Sequence, residues 1–212
     1  NIPNAILIED EAIDTNNEGW AGQQVIKSQF WKLNLCKNYL CLDSDSEFIR
    51  DFQESDFVYK EDIPYTVIHE DKELMEWALK AGLGFDIQKS FQEDRDKVTN
   101  LFGRKGIYYD FGPSPVIWST KVWKSLFDNY ITPNNLTFSQ LIQHCSSEFT
   151  WYGEWLLSNS TIPIYPRQPL FKVFHYPQQY TEFKNKGYTV EDLAKQYQGI
   201  ILQSNWGAPL KY

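Results

Sequence analysis

The chain has 212 residues, of which 42% are hydrophobic and 17% aromatic, so we expect a single globular domain over residues 1–212 with a sizeable buried core. Its net charge of −8 argues against non-specific binding to nucleic acid or to anionic lipid, because the mean electrostatic field repels phosphate. No apolar run approaches the roughly 20 residues of a membrane span, so no transmembrane segment is expected.

The first part of the chain has the pattern of a βαβ unit. An apolar run predicts a strand at residues 5–8, a helix is predicted over residues 19–35, and a second apolar run predicts a strand at residues 39–42. The predicted helix has an inward stripe made of Ile26, Phe30 and Leu33. The order strand, helix, strand is typical of parallel neighbours in one sheet.

The rest of the chain is predicted to be richer in helix. Helices are expected at residues 71–79, 86–101, 120–127, 137–145, 148–157 and 189–198, and short strands at 107–109, 116–118 and 199–203. Residues 110–115 must be a loop, because they hold one glycine and two prolines. The predicted fold is therefore α/β, a mixed sheet flanked by helices.

The three cysteines help to place the protein in a redox compartment. Cys36, Cys41 and Cys145 are odd in number and lack C-x-x-C spacing. This pattern argues against a disulfide framework and against a zinc cluster of cysteines. A reducing, cytoplasmic setting fits the sequence best.

The acidic run after the strand at 39–42 predicts a metal site. Asp43 and Asp45 follow the apolar run with one residue between them. In open α/β sheets ligands bind at the carboxyl ends of the strands, and extended residues two apart point the same way. Carboxylates suit Mg²⁺ and Mn²⁺, which also bind phosphate oxygens. The alternative is that Asp-Ser-Asp simply forms a turn or caps a helix.

A second candidate segment combines carboxylates with indoles. If residues 148–155 are helical, Glu148, Trp151 and Trp155 share one face, where a sugar ring can stack while the carboxylate accepts a hydroxyl proton. Glu154 is a second candidate base, and Asp110, in the loop, is a third. The alternative is an amphipathic helix that packs its tryptophans into the core with Glu148 at the rim.

Four blocks of sequence occur in order along the chain: Gly19-Trp20-x-x-Gln23-Gln24-x-x-Lys27, Tyr39-Leu40-x-Leu42-Asp43-Ser44-Asp45, Gly112-Pro113-Ser114-Pro115-Val116-Ile117-Trp118, and Ser147-Glu148-Phe149-Thr150-Trp151-Tyr152-Gly153. Over roughly residues 4–206 they resemble the bacterial DUF6492 family of uncharacterised glycosyltransferases. More distantly, the chain is similar to the GT-A enzymes that include glycogenins and bacterial galactosyltransferases. The resemblance implies a transferase that moves a sugar from a nucleotide-sugar donor to a glycan acceptor in surface polysaccharide synthesis.

The resemblance also implies roles for individual residues. Asp43 and Asp45 match the D-x-D that binds Mn²⁺ or Mg²⁺, and Lys27 matches the cation that faces the donor diphosphate. The expected donor-binding residues are Lys27, Gln23, Gln24 and Ser44, and the expected acceptor-binding residues are Trp151, Trp155, Tyr152 and Trp118. His175 is expected to reach the metal, as a late histidine does in some GT-A enzymes, although a structural histidine is the alternative.

The front of the chain departs from the GT-A pattern. Such a sheet normally has about three strands before the D-x-D, whereas the residues before Asp43 suffice for one strand and one helix. We therefore expect that the N-terminal nucleotide-binding strands are missing from this chain; the alternative is a nucleoside pocket that is built differently. The segment 203–206 ends the last strand with polar groups and one indole, and it is expected to close over the site.

Two other classes of protein compete with the transferase. A haloacid-dehalogenase-type phosphatase also places D-x-D after an apolar strand, but it wants Thr or Val where this chain has Glu47. A non-catalytic carbohydrate-binding domain would explain the aromatic content and leave Asp43 and Asp45 without a role. Activity on a generic aryl phosphate distinguishes the phosphatase from the transferase.

Overall fold

The computed structural model of the protein describes residues 19–113 and 115–203. The predicted strand at residues 5–8 lies outside these residues. The helices, in chain order, are α1 (Gly19–Gln29), α2 (Lys72–Lys80), α3 (Gly84–Leu101), α4 (Thr120–Leu126), α5 (Phe138–His144), α6 (Glu148–Asn159), α7 (Pro177–Asn185) and α8 (Val190–Ala194). The strands are β1 (Asn38–Cys41), β2 (Ser46–Phe48), β3 (Val58–Lys60), β4 (Ile63–Pro64), β5 (Thr66–Val67), β6 (Val116–Ser119), β7 (Pro166–Arg167), β8 (Phe171–Phe174) and β9 (Gly199–Leu202).

The strands form several small sheets of mixed orientation. β1 pairs with β6 and β3 with β4, both antiparallel, whereas β5 and β7 are parallel. In the three-stranded sheet β2-β9-β8, β9 lies between an antiparallel and a parallel neighbour. The prediction of a mixed α/β fold is confirmed at this level.

The prediction of a parallel βαβ unit needs a correction at β1. In the part of the chain that the structure describes, β1 pairs with β6 and runs antiparallel to it. All four residues of β1 are half-buried, so the strand is not covered on both faces. The inward face of α1 is also rotated relative to the prediction: Val25, Ser28 and Gln29 are buried, whereas Ile26 and Phe30 are half-buried.

The main core is built from aromatic residues around α6. Trp118 of β6 lies edge-on to Trp123 of α4, with ring centroids 5.3 Å apart, and 5.7 Å from Tyr152 of α6. α6 packs against α1, α3 and α4 and is buried on nearly all sides. This helix therefore fixes its own first residue, Glu148, relative to α1.

The loop at residues 110–113 runs close against α6. A Cβ at Gly153 would overlap the ring of Phe111, so only glycine allows this approach. Within the loop, the backbone amide of Gly112 donates to Asp110 Oδ1 at 3.1 Å. Pro113, at the end of the loop, lines two separate cavities. The packing of α6 thus positions the loop between them.

Two further features of the structure concern the length of its helices and the state of its cysteines. Among the helices of residues 19–113 and 115–203, none combines the length and the apolar character that crossing a membrane requires. Cys36, Cys41 and Cys145 are free thiols.

Candidate active site

The two aspartates of the D-x-D lie in a turn between β1 and β2. The backbone amide of Ser46 donates to the carbonyl of Asp43 at 3.1 Å, which closes a β-turn over Asp43–Ser46. The metal prediction assumed that these residues are extended, and this is wrong. They form a turn, which is the alternative interpretation of Asp-Ser-Asp. Both side chains nevertheless line the same cavity.

Strand pairing brings distant parts of the chain to this turn. Because β1 is antiparallel to β6, with Cys41 opposite Val116, the carboxyl end of β1 lies beside the loop that ends at Pro113. Because β2 is antiparallel to β9, with Ser46 opposite Ile201, the start of β2 lies beside the end of β9. The turn therefore sits where two small sheets meet.

A cavity of about 600 Å³ opens beside this turn. It is lined by residues of α1, of the turn, of the start of α6 and of the ends of two loops: Trp20, Gln23, Gln24, Lys27, Asp43, Ser44, Asp45, Pro113, Ser147, Glu148, Phe149 and Gln203. Gln203 belongs to the segment expected to close over the site, and the rest of that segment, 204–206, lies outside the described residues.

Lys27 is the central cation of this cavity. Its Nζ forms an ion pair with Asp43 and lies 3.3 Å from Glu148 Oε1. Burial by itself would lower the pKa of Lys27, but the charges of Glu148 and Asp43 outweigh it and raise the pKa above its ordinary value. The side chain is only 11% exposed, so a charged ammonium group is held in a fixed position between two carboxylates.

Glu148 is the buried carboxylate of this cavity. It is the first residue of α6, whose N-cap Ser147 accepts a hydrogen bond on Oγ from the Thr150 amide at 3.2 Å. Burial raises the pKa of Glu148 from 4.5 to about 7, and the charge of Lys27 opposes this rise. With its amide oxygen turned to the Trp20 indole, Gln24 donates to Glu148 Oε2 at 2.7 Å. A carboxylate poised near neutrality suits proton transfer.

The predicted donor-binding residues lie together in this cavity. Gln24 is buried against Glu148, whereas Gln23 and Ser44 are exposed at the rim. Sequence reasoning missed two aromatic residues of the lining, Trp20 and Phe149. Trp20 precedes Gln24 by one helical turn on α1, so the helical repeat could have indicated it.

The predicted acceptor-binding aromatics are not in the cavity. These four side chains are between 1% and 6% exposed and belong to the main core: Trp118, Trp151, Tyr152 and Trp155. Trp151 donates from its indole to the Cys145 carbonyl at 2.8 Å, and the hydroxyl of Tyr152 accepts from the Ser119 amide at 2.9 Å. The expectation is corrected, because these rings present no surface on which a sugar could stack.

Glu154 is also corrected as a candidate base. Its side chain is fully buried, and Arg104 grips both carboxylate oxygens, donating from Nη2 to Oε1 at 2.6 Å. A carboxylate that is fully buried in such a bidentate pair is not accessible to a substrate. Its role in this structure is to tie α6 to the segment after α3.

We expect Glu154→Gln to destabilise the fold by about 3 kcal/mol, because it leaves the Arg104 guanidinium, whose side chain is 13% exposed, without its charged partner. The matched control is Asp128→Asn, which breaks the exposed Lys124–Asp128 pair and should cost less than about 1 kcal/mol. Equilibrium unfolding in urea measures both changes. Equal losses of unfolding free energy in the two variants would contradict a stabilising role for the Arg104–Glu154 pair.

His175 lines the other cavity, and Asp110 lies beside that cavity, close to His69 and Asp71. This cavity has a volume of about 460 Å³, and His175 lines it together with His69 and Asp71. Burial lowers the pKa of His175 to about 4, so its imidazole is neutral at pH 7. Burial alone would raise the pKa of Asp110, but the Arg95 charge holds it below its ordinary value, which makes Asp110 a poor base. His175 is therefore not placed to bind a metal with the D-x-D, and Asp110 is not placed to act beside it.

The geometry thus joins some of the predicted residues and separates others. One cavity holds the predicted residues Gln23, Gln24, Lys27, Asp43, Ser44, Asp45 and Glu148. The arrangement offers two carboxylates for a cation, one ammonium group and one buried carboxylate. In comparisons of the chain with protein-family models, with curated proteins and with solved structures, nothing matches.

Proposed function

We propose that the protein is a metal-dependent glycosyltransferase that moves a sugar from a nucleotide-sugar donor to a glycan acceptor. The observation that carries the proposal is the cavity of about 600 Å³ in which Asp43, Asp45, Lys27 and Glu148 meet. Its volume is in the range of ligand pockets. The charges in it correspond to what the reaction must hold, namely a metal cation, the donor diphosphate and an acceptor hydroxyl that must lose its proton.

The residues fit a hard divalent cation. Mg²⁺ and Mn²⁺ use one or two carboxylates and complete their coordination with waters and substrate phosphates. Asp43 and Asp45 supply two such carboxylates beside an open cavity, and Asp43 already pairs with a positive group, Lys27. Bound there, Mn²⁺ or Mg²⁺ would neutralise the donor diphosphate and favour departure of the nucleoside diphosphate.

Lys27 has the position and charge to stabilise the leaving group. Breaking the bond between sugar and phosphate leaves negative charge on the outer phosphate, and a cation fixed in advance lowers the energy of that charge. The two carboxylates that contact Lys27 hold its ammonium group at the cavity wall. Little reorganisation is then needed as the charge develops.

Glu148 has the properties of the base that activates the acceptor. It must accept the proton of an acceptor hydroxyl, and a pKa raised to about 7 makes it a stronger base than an ordinary glutamate. Gln24 orients the carboxylate by donating to Oε2. Trp20, which is 61% exposed at the cavity, and Phe149 replace the core tryptophans as the aromatic surfaces for a sugar ring.

A GT-A-like fold and a cytoplasmic setting belong to the same proposal. The resemblance to the DUF6492 family and to GT-A enzymes supports a GT-A-like arrangement with a D-x-D at the end of a strand. The place of the Asp43–Ser46 turn, directly after β1, agrees with that arrangement. Action in bacterial surface polysaccharide synthesis and a cytoplasmic setting stay predictions from the sequence.

A donor-hydrolysis assay tests the proposal. The protein is incubated with Mn²⁺ and, in turn, UDP-, GDP-, CMP- and TDP-sugars, with release of free nucleotide as the readout, and in parallel with p-nitrophenyl phosphate. We expect release from one class of donor and none from the aryl phosphate. Hydrolysis of the aryl phosphate alone would favour the phosphatase, and no turnover of any donor would contradict the transferase.

A further inference from the structure

A cluster of ligand-type side chains that the proposed function does not use lies at the second cavity: His69 and Asp71 line the cavity, and Asp110 is close to both. His69 and Asp71 lie between β5 and α2, and an isolated antiparallel bridge joins His69 to Asp110 of the loop. One imidazole nitrogen of His69 and one carboxylate oxygen each of Asp71 and Asp110 all lie within 4.8 Å of one another. Two separate segments of sequence, one holding His69 and Asp71 and the other holding Asp110, therefore converge on one point.

The spacing of His69 and Asp71 suits a single small ion. His69 Nδ1 lies 3.4 Å from Asp71 Oδ1. Two ligands that are each about 2.0 to 2.1 Å from a tetrahedral ion lie about 3.3 to 3.4 Å apart. The observed separation is that of one tetrahedron edge, so both atoms could coordinate one ion with little movement.

The groups around the cluster orient its members as in metal sites. His69 Nε2 donates to the Gly112 carbonyl at 2.7 Å, which leaves the Nδ1 lone pair on the side of the cluster. The Asp71 amide approaches Nδ1 at 3.3 Å, a long hydrogen bond that a bound ion would replace. Arg95 Nη2 and the Gly112 amide each lie 3.1 Å from Asp110 Oδ1, which holds that carboxylate in place.

One oxygen of the cluster is buried without a partner. Asp71 is 8% exposed, and its Oδ2 has no hydrogen-bond donor among residues 19–113 and 115–203. A buried carboxylate oxygen without a donor is costly, and here the carboxylate of Asp110 lies close to that of Asp71. A cation between the two carboxylates would remove both the repulsion and the unpaired oxygen.

We propose that His69, Asp71 and Asp110 bind a zinc ion, separate from the cation expected at Asp43 and Asp45. Imidazole nitrogen combined with carboxylate oxygen favours zinc over Mg²⁺, which prefers oxygen alone. The ion would join the start of α2 to the loop at 110–113, whose last residue, Pro113, also lines the candidate active site. This inference does not depend on the proposed transferase activity.

Zinc titration of the protein tests the site. The wild-type protein is stripped with a chelator and titrated with ZnCl₂ in a calorimeter, beside His69→Gln, Asp71→Asn and the control Asp45→Ala. We expect one zinc per chain in the wild type and in Asp45→Ala, and binding at least about 100-fold weaker in the other two variants. No zinc binding by the wild type, or binding that only Asp45→Ala removes, would overturn the proposal.

A measurement on the wild type alone covers the case in which the variants fail to fold. X-ray absorption at the zinc edge of the loaded protein reports the ligand atoms and their distances. We expect nitrogen and oxygen at about 2.0 to 2.2 Å, with the outer-shell signal of imidazole. Sulfur at about 2.3 Å would place the zinc on the free cysteines, and oxygen alone would place it on carboxylates without His69; either result overturns the site.

Discussion

Asp45→Ala is expected to lower the rate of sugar transfer by on the order of 10³-fold while the protein stays folded. Asp45 is half-buried in the turn between β1 and β2 and lines the candidate active site. Its removal takes away one of the two carboxylates that would hold the cation against the donor diphosphate. Initial rates with saturating donor and Mn²⁺ measure the loss, and circular dichroism checks the fold.

A nearby exposed aspartate serves as the matched control for this variant. Asp51 lies a few residues further along the chain and is exposed to solvent outside the cavity. Asp51→Ala should keep the wild-type rate and the wild-type dependence on Mn²⁺ concentration. Full activity in Asp45→Ala would remove the D-x-D from the mechanism.

Glu148→Gln is expected to lower the rate by about 10² to 10⁴-fold and to remove the acidic limb of the pH profile. In the wild type, the base works only when it is ionised, so the rate should fall as the pH drops below about 7, to which burial raises the pKa of Glu148. Glutamine cannot accept the proton at any pH. Rates measured from about pH 5 to pH 8 give both the loss and the change of profile.

The control for this variant is Glu93→Gln, on the exposed face of α3, where the side chain is 61% exposed. It should leave both rate and profile unchanged. A wild-type rate that is flat through pH 7, or a Glu148→Gln variant with the same acidic limb as the wild type, would show that another group is the base.

Glu148→Gln is also expected to change how the stability of the fold depends on pH. Because the pKa of Glu148 is raised in the fold, the folded protein binds its proton more tightly than the unfolded chain does. That contribution to stability is present below the ordinary pKa of 4.5 and is lost as the pH rises through about 7. Glu148→Gln should therefore lose less stability than the wild type between about pH 5 and pH 8. Parallel pH curves from thermal unfolding of the two proteins would contradict the raised pKa.

Several helices could be predicted because their signals are local. Thr137 and Ser147 cap α5 and α6 through their side chains, and the apolar run Gly199–Leu202 forms the buried strand β9. α7 was missed because it buries only Tyr180 and so shows no apolar stripe. The expected strand at residues 107–109 is not formed, and in this region the pairing that exists is the single bridge of Asp110 to His69.

The candidate site could be predicted in part because its members carry distinctive chemistry. Charge and local pattern indicate Lys27, Asp43 and Glu148 as residues of the site. That they meet depends on the pairing of β1 with β6 and on the packing of α6 against α1, which no local pattern specifies. The wrong prediction that Trp151 and Trp155 bind the acceptor has the same origin. The two residues do share a helix face, but α6 is buried on nearly all sides, which no local pattern specifies.

The cluster of His69, Asp71 and Asp110 could not be predicted either, because it also depends on contacts between distant residues. Asp110 comes from a segment distant from His69 and Asp71, so no local pattern in the sequence gives a reason to group the three. His175 was assigned to the D-x-D because of its chemistry and late position. The structure places it with His69 instead, since β8 runs parallel to β9 and ends at the second cavity.

Calorimetric titration with nucleoside diphosphates tests the central claim most directly, because it requires neither the acceptor nor the donor sugar. UDP, GDP and TDP are titrated into the protein with Mn²⁺, and again with a chelator in place of the metal. We predict that at least one of them binds only when Mn²⁺ is present, and that Asp45→Ala and Lys27→Met each abolish this binding. Binding that is indifferent to the metal and to Asp45, or no binding by any of the three, would contradict a D-x-D that holds a cation on a diphosphate.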